Sequence, residues 1–185
     1  MPRPNRATPP TPYEYLAEVP SFEVTSDDIA DGVAIDRRFV ADADFGLDGD
    51  NLSPHLAWSG FPPETQSFAV TCFDPDAPTG SGFWHWVLLD LPSEVTELDT
   101  GAASGDCSGL PDGAIHLGND TTNTCYTGPF PPPGHGPHRY VFAVHALSVA
   151  RLGLDAGVRP AVAGFTMADV TLARGVITAA FEVPG

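Results

Sequence analysis

Hydrophobic and polar residues alternate along three stretches of the chain, at residues 67–74, 83–92 and 138–149. A period of two is typical of β-strands, whose successive side chains point to opposite faces. One face of each predicted strand carries these residues: Phe68, Val70, Cys72 and Asp74; Trp84, Trp86 and Leu88; and His138, Tyr140, Phe142, Val144 and Ala146. His85 is therefore expected on the face opposite the two tryptophans. The third stretch is apolar on its other face as well, which predicts a central strand covered on both sides.

The rest of the sequence predicts turns and one helix. The 20 prolines and 19 glycines among 185 residues favour short strands joined by turns. Residues 100–137 form a long turn-rich stretch, and loops of that length in compact domains usually carry function or are disordered. Only residues 166–182 show near-helical spacing of apolar positions, although Gly175 weakens a helix by about 1 kcal/mol. We therefore expect one β-rich domain with a peripheral helix.

The domain is expected to occupy residues 21–185, after a flexible, proline-rich tail at residues 1–20. The tail lacks the apolar stretch of a secretory signal, and no segment has the roughly 18 apolar residues of a membrane span. These features predict a cytoplasmic protein without integral membrane association. The chain has 24 acidic and 8 basic residues, a net charge of −16. Such a surface should repel nucleic acid and anionic membranes.

The three cysteines match no zinc-binding spacing, and no cofactor is expected. Cys72 lies in a strand pattern and is interpreted as a small buried hydrophobic residue. A bridge between Cys107 and Cys125 is one arrangement of the other two. The reducing cytoplasm expected for this protein disfavours it.

Three ionisable residues, one aspartate and two histidines, interrupt the apolar pattern of the three predicted strands. Asp74 ends the first strand, His85 lies within the second, and His138 opens the third beside a Gly/Pro-rich loop. Imidazoles and the backbone N–H groups of a glycine-rich loop suit a compact oxyanion such as phosphate. Asp74 would repel that anion unless it holds a histidine proton or receives a ligand ammonium group. Asp76 has a simpler use, since an aspartate before a turn can accept backbone hydrogen bonds.

Two motifs make the chain recognisable: DPDAP at residues 74–78, and the later stretch GPFPPPGHGPHRY at residues 128–140. With these motifs the sequence resembles the phosphatidylethanolamine-binding protein family, in its prokaryotic, Raf kinase inhibitor-like branch. The resemblance implies a mainly β fold, a Greek-key β-sandwich of two antiparallel sheets with a few peripheral helices. It also implies a small surface cavity for phosphate-like anions or a phosphoethanolamine headgroup, and a homodimer.

The resemblance further implies which residues bind the ligand. Carried over motif by motif, they are Asp74, Asp76, Pro78, His85, Gly128, His138 and Tyr140. Arg139 points to the other face by strand alternation, so we expect it in a structural ion pair. Phe130 stands where some relatives have a smaller residue, which predicts a narrower cavity.

Three functions remain open on the sequence. The favoured one is non-enzymatic binding of the anion or headgroup, because the chain has no G-x-S-x-G nucleophile motif. The alternative is a hydrolase in which Asp74, His85 and His138 form a metal site or an acid/base set. The third is inhibition of a protein partner, which the resemblance permits and no motif in this sequence marks.

Overall fold

Two antiparallel β-sheets pack face to face in the computed structural model, which describes residues 8–185. The strands are β1 (Glu23–Thr25), β2 (Leu56–Ser59), β3 (Ser67–Asp74), β4 (Phe83–Pro92), β5 (Glu97–Leu98), β6 (Ile115–His116), β7 (His138–Leu147) and β8 (Thr171–Phe181). The smaller sheet has the order β1-β2-β5 and the larger one the order β6-β4-β3-β7-β8. One α-helix, α1 (Pro160–Ala168), and short 3-10 turns at Pro12–Glu14, Arg37–Phe39 and Ala43–Phe45 complete the described elements. The predicted β-sandwich is confirmed.

The main core lies between the two sheets and is built from alternate residues of the long strands. The residues predicted to share one face of β3 and β7 do share it. Asp74 and His138 stay outside the apolar core, and the others join it: Phe68, Val70, Cys72, Tyr140, Phe142, Val144 and Ala146. The opposite face of the larger sheet is covered by α1. Leu147 of β7 packs there with Ala163 and Met167 of the helix. The prediction of a central strand buried on both faces is confirmed.

A β-bulge in β4 changes the direction of His85. Trp86 lies opposite Cys72 and Trp84 lies opposite Phe73, so His85 has no partner of its own on β3. An extra residue of this kind shifts the alternation by one position. Trp84 consequently packs with the outer cluster, while the His85 ring lies 5.1 Å from the ring of Tyr140 on the inner face. The prediction that His85 faces away from Trp86 is therefore wrong.

The C-terminal helix prediction is also wrong for most of its length. The helix ends at Ala168, and residues 171–181 form the edge strand β8. β8 pairs with β7 over its whole length, and β-branched Val176 and Ile177 suit that extended backbone. Gly175 allows a close approach, because a Cβ there would lie 2.8 Å from the carbonyl oxygen of Phe22. Tertiary pairing with β7 overrides the weak helical spacing.

The N-terminal segment from residue 8 onward lies against the outer face of the larger sheet. The Tyr13 hydroxyl is 3.1 Å from Oγ1 of Thr71, and the carbonyl of Pro9 accepts a hydrogen bond from the Arg139 guanidinium. Residues 1–7 lie outside the described part of the chain, so the flexible tail and the domain boundary at residue 20 stay predictions. Between residues 8 and 185 no helix is long and apolar enough to cross a membrane.

Cys107 and Cys125 form a disulfide, whereas Cys72 is buried and unpaired. The sequence disfavours this pairing without excluding it, whereas the structure joins the two cysteines. Disulfides persist mainly in oxidising compartments, so this crosslink and the predicted cytoplasmic location favour different surroundings. The disulfide ties the segment after Ala103 to the long loop that precedes β7.

His145 of β7 makes stability dependent on acid. It is buried on the outer face, and its Nδ1 accepts a hydrogen bond from Nε of Arg174 at 3.3 Å. Burial, and then the charge of Arg174, lower the pKa of His145 from 6.5 to about 3. Burial likewise lowers the pKa of His116 to about 4. The folded protein therefore excludes protons that the unfolded chain takes up below pH 6.5.

We predict that the free energy of unfolding falls as the pH drops from 6.5 towards the folded-state pKa values. His145 alone should account for a loss on the order of 1–2 kcal/mol at pH 5, since each pH unit between the two pKa values costs about 1.4 kcal/mol. Urea unfolding at pH 7 and pH 5 measures the loss, with His145→Gln beside wild type. An equal pH dependence in both proteins would contradict the assignment.

Candidate functional site

A cavity of about 270 Å³ opens at the end of the larger sheet, between the DPDAP turn and the proline-rich loop before β7. Five of the residues predicted to bind a ligand line it: Asp74, Pro78, His85, His138 and Tyr140. They come together because β3 ends where the antiparallel β7 begins, and because the bulge turns His85 of β4 to the same face. Most of the remaining wall is apolar, with Phe83 and Phe130 as its largest side chains.

The other two predicted residues support the cavity from outside. Asp76 is 1% exposed, and its carboxylate accepts hydrogen bonds from the backbone N–H of Arg139 at 3.0 Å and from its Nε at 2.8 Å. The expected structural ion pair of Arg139 is confirmed. Gly128 packs against the backbone of residues 39–41, where a Cβ would lie 2.3 Å from the carbonyl oxygen of Phe39. Neither residue lines the cavity.

Asp74 and two histidines form a buried chain of hydrogen bonds. Oδ2 of Asp74 lies 2.7 Å from Nδ1 of His138, and Nε2 of His138 lies 2.6 Å from Nδ1 of His135. The backbone N–H of Asp76 donates to Oδ1 of Asp74 at 2.7 Å. Nδ1 of His138 must carry a hydrogen, because a carboxylate only accepts. Asp74 therefore holds a histidine proton, one of the two arrangements that make it compatible with an anion nearby.

His85 is held in one orientation by the loop that precedes the proline-rich segment. Its Nδ1 donates to the carbonyl oxygen of Thr127 at 2.9 Å, and the N–H of Thr127 donates to the carbonyl oxygen of His85 at 3.1 Å. Burial lowers the pKa of His85 from 6.5, against the opposing effects of Asp74 and of the Thr127 carbonyl. The ring is neutral at pH 7. With its hydrogen on Nδ1, the other nitrogen is an acceptor.

The hydroxyl of Tyr140 is buried and makes no hydrogen bond to any described residue. Its ring packs edge-on against His85 at 5.1 Å, and the residue lines the cavity. Burial, helped by the charge of Asp74, raises the pKa of Tyr140 well above 10, so the hydroxyl stays protonated. An unpaired buried hydroxyl costs about 1–3 kcal/mol. A ligand oxygen in the cavity would remove that cost.

Sequence reasoning missed two polar residues that organise the site. His135 extends the Asp74–His138 chain, and its only sequence signal is its place three residues before His138. Asn119 is fully buried, and its side-chain amide donates to the carbonyl oxygens of His85 and Cys125 at 3.1 Å. It fixes the loop that orients His85. No spacing in the sequence reveals that Asn119 lies beside β4.

Comparisons with known proteins agree with this architecture. The sequence model described as Phosphatidylethanolamine-binding protein matches residues 25–182. The chain belongs to the phosphatidylethanolamine-binding protein family. It is 46% identical to the protein YbhB of Escherichia coli over 161 residues, which are 87% of this chain and 100% of YbhB. It is 40% identical to YbcL of the same organism, covering 91% of this chain and 92% of YbcL.

Solved structures of the phosphatidylethanolamine-binding protein family share the fold. The crystal structure of Escherichia coli YbcL superposes with a TM-score of 0.85, covering 88% of this chain and 99% of YbcL. The homolog CT736 from Chlamydia trachomatis has a TM-score of 0.72 at 25% identity, covering 88% of this chain and 97% of that one.

The metal-dependent hydrolase alternative lacks its ligand set. Among residues 8–185, no three His, Cys, Asp or Glu side chains are placed to hold a metal ion. Both ring nitrogens of His138 are already hydrogen-bonded, to Asp74 and to His135. Asp74 and His138 bond to each other and His85 bonds to the carbonyl oxygen of Thr127, although all three line the same cavity.

The Asp76–Arg139 ion pair should stabilise this member of the phosphatidylethanolamine-binding protein family strongly. We predict that Arg139→Met lowers the free energy of unfolding by about 3–5 kcal/mol, because it removes the guanidinium that bonds to the buried Asp76 carboxylate. Urea unfolding provides the measurement, with Asp76→Asn and the double variant completing a double-mutant cycle. The double variant should recover part of the loss. A cost below about 1 kcal/mol for Arg139→Met would argue against the pair's role.

Proposed function

We propose that the protein binds a small phosphate-like anion or a phosphoethanolamine headgroup in the 270 Å³ cavity, without catalysing a reaction. The observation that carries this proposal is the buried hydroxyl of Tyr140, which has no hydrogen-bond partner among the described residues. Buried polar groups in folded proteins are nearly always paired. A ligand oxygen is the partner that fits its position in the cavity wall.

The charges around the cavity are compatible with an anion. Asp74 is the one carboxylate in its lining, and each of its oxygens already accepts a hydrogen bond, from His138 or from the N–H of Asp76. Paired carboxylates repel an anion less than free ones do. The remaining acidic residues of the protein surface act mainly over longer distances, where salt screens charges beyond roughly 8 Å.

The two cavity groups left for a ligand have opposite hydrogen-bonding roles. Tyr140 presents a protonated hydroxyl, and neutral His85 presents a ring nitrogen that accepts. A phosphate or phosphate-monoester monoanion has both an unprotonated oxygen and a P–OH group. It can accept from Tyr140 and donate to His85 at the same time. In the phosphoethanolamine form of the proposal, the ligand also carries a positive ammonium group, which Asp74 can receive.

We predict that Tyr140→Phe weakens phosphate binding by about 10- to 100-fold, because a hydrogen bond to a charged group contributes about 1.5–3 kcal/mol. Isothermal titration calorimetry with inorganic phosphate and with O-phosphorylethanolamine gives the affinities. The variant should be as stable as wild type, since the hydroxyl has no partner in the folded protein. An unchanged affinity for phosphate in a folded Tyr140→Phe protein would contradict the proposal.

A matched pair of variants separates the cavity from the adjoining surface. His138→Ala should abolish binding, whereas His55→Ala should leave it unchanged because His55 contacts Glu97 away from the cavity.

The same samples test the hydrolase alternative with p-nitrophenyl phosphate. Turnover by wild type that His138→Ala removes would replace the binding proposal by a catalytic one.

We predict that the phosphate monoester methyl phosphate binds more tightly than sulfate at pH 6 and that this advantage shrinks by pH 8. Sulfate carries no hydrogen in this range, whereas the second pKa of phosphate monoesters is near 6, so the P–OH donor for His85 disappears as the pH rises. Calorimetric titrations at both pH values measure the ratio. Equal affinities for sulfate and methyl phosphate at pH 6 would contradict the accepting role of His85.

The homodimer and an inhibitory role towards a protein partner belong to the proposal only through the family resemblance, and the cytoplasmic location stays the prediction made from the sequence. Light scattering of the purified protein gives the oligomeric state. Retention of a partner by both wild type and Tyr140→Phe would show that a protein-binding role does not need the cavity.

A further inference from the structure

A second and larger cavity, of about 640 Å³, lies on the outer face of the larger sheet. Helix α1 forms one wall, the segment around Tyr13 another, and the sheet itself the floor, through Phe73 and Trp84. Its lining is predominantly apolar. The anion cavity lies on the inner face of the same sheet, so the two sites are separate. A volume of this size matches the roughly 300–1,000 Å³ of small-molecule sites.

Arg174 brings a positive charge without a bonded counter-ion into this mainly apolar cavity, whose other charged lining residues are Asp120 and Arg159. Its guanidinium carbon lies 4.3 Å from the centre of the Tyr13 ring, and its Nε donates to Nδ1 of His145 at 3.3 Å. Among residues 8–185 no carboxylate lies within 4 Å of it, and its terminal nitrogens donate to no described group. Residues 1–7 contain no Asp or Glu. Arg174 thus has no counter-ion, although the chain carries 24 acidic residues against 8 basic ones.

The surroundings hold the guanidinium in place without neutralising it. His145 uses Nδ1 as an acceptor and is itself uncharged at pH 7. Thr71 and Tyr13 contribute only hydroxyl groups, both within 3.5 Å of Nε2 of His145. Arg174 is half-buried, so burial removes part of its hydration and an opposite charge in the cavity stabilises it. Because no described carboxylate lies within 4 Å of it, an anion that enters the cavity is the group that completes the arrangement.

We propose that the outer cavity binds an amphipathic carboxylate, a molecule with an unbranched apolar body and one carboxylate group. The apolar body lies between α1 and the sheet, against Phe73, Trp84 and Met167. The carboxylate pairs with the terminal nitrogens of Arg174, whose planar fork suits two parallel hydrogen bonds to a carboxylate. Phe165 and Leu16, which are 83% and 41% exposed, stand at the mouth and extend the apolar surface outward.

The charge argument favours this ligand over other occupants. A neutral lipid or an apolar segment of a partner protein would fill the cavity and leave Arg174 unpaired. A cationic amphiphile would be attracted by the acidic surface and repelled at Arg174. An anionic head group suits the apolar walls and the two guanidinium groups of the lining, Arg174 and Arg159, because the lining carboxylate of Asp120 already accepts a hydrogen bond from the N–H of Trp84. The proposal does not depend on the function of the inner cavity.

The test compares three ten-carbon probes on the intact protein: decanoate, decan-1-ol and decyltrimethylammonium. Trp84 lines the cavity, so its fluorescence reports occupancy, and thermal shifts give a second readout. Wild type should bind decanoate saturably and at least about tenfold more tightly than decan-1-ol, the gain expected for a charge-assisted pair. Decanoate binding that equals decan-1-ol binding, or no saturable binding in folded wild type, would overturn the proposal.

Two variants address the head group and the apolar body separately. Arg174→Met keeps the apolar stem and should lose the preference for decanoate while retaining decan-1-ol and phosphate binding. Arg151→Met, which removes the same charge from an exposed position outside the cavity, is its matched control. Gly164 faces the cavity, and a Cβ there would meet nothing within 4 Å. Gly164→Leu should therefore fill the space, raise the melting temperature and weaken binding of both decanoate and decan-1-ol.

Each outcome decides the proposal. Loss of the decanoate preference in Arg174→Met but not in Arg151→Met supports it, and so does weakened binding in a stable Gly164→Leu protein. Decanoate affinity unchanged in a folded Gly164→Leu protein would place the probe elsewhere and refute the site. If Arg174→Met does not fold, Gly164→Leu alone decides. A dimer that buries Phe165 and binds no decanoate would assign the surface to a second copy of the chain instead.

Discussion

The inner cavity depends on one buried hydrogen bond, between Oδ2 of Asp74 and Nδ1 of His138 at 2.7 Å. It joins the last residue of β3 to the first residue of β7, the two central strands of the larger sheet. The bond compensates a carboxylate that is only 3% exposed, and it fixes which nitrogen of His138 carries the hydrogen. Without it, an unpaired charge would lie in the cavity floor, which costs several kcal/mol and excludes an anion.

Sequence patterns predict the parts of this site that follow from strand periodicity. The alternation along β3 and β7 places Asp74, His138 and Tyr140 on one face and Arg139 on the other, as found in the structure. Asp76 and Gly128 show the limit of motif transfer. Each belongs to the family motifs, but the structure places the Asp76 carboxylate against Arg139 and packs Gly128 against residues 39–41. Contacts between distant segments decide their positions, and no local pattern reports such contacts.

Contacts between distant segments also explain why sequence reasoning missed the strand β8 and the orientation of His85. β8 forms because β7 offers it a complete pairing edge, and this outweighs weak local helical spacing. The orientation of His85 depends on the bulge opposite Cys72 and on the loop held by Asn119 and Thr127. The disulfide between Cys107 and Cys125 anchors the same loop to the segment after Ala103. All of these constraints come from residues at least 18 positions apart or from cross-strand register.

The bulge at His85 also explains how one sheet serves two cavities. Consecutive residues point to opposite faces of a strand, so Phe73 lines the outer cavity and Asp74 the inner one. Regular pairing of β4 would put Trp84 on the inner face, beside Trp86, and His85 on the outer face. The single extra residue exchanges them: His85 joins Tyr140 and Trp84 joins the wall beneath α1. The hydrogen-bonded pair of Asp74 and His138 thereby lies in the inner cavity, while the outer cavity is mainly apolar and carries Asp120, Arg159 and Arg174 among its lining residues.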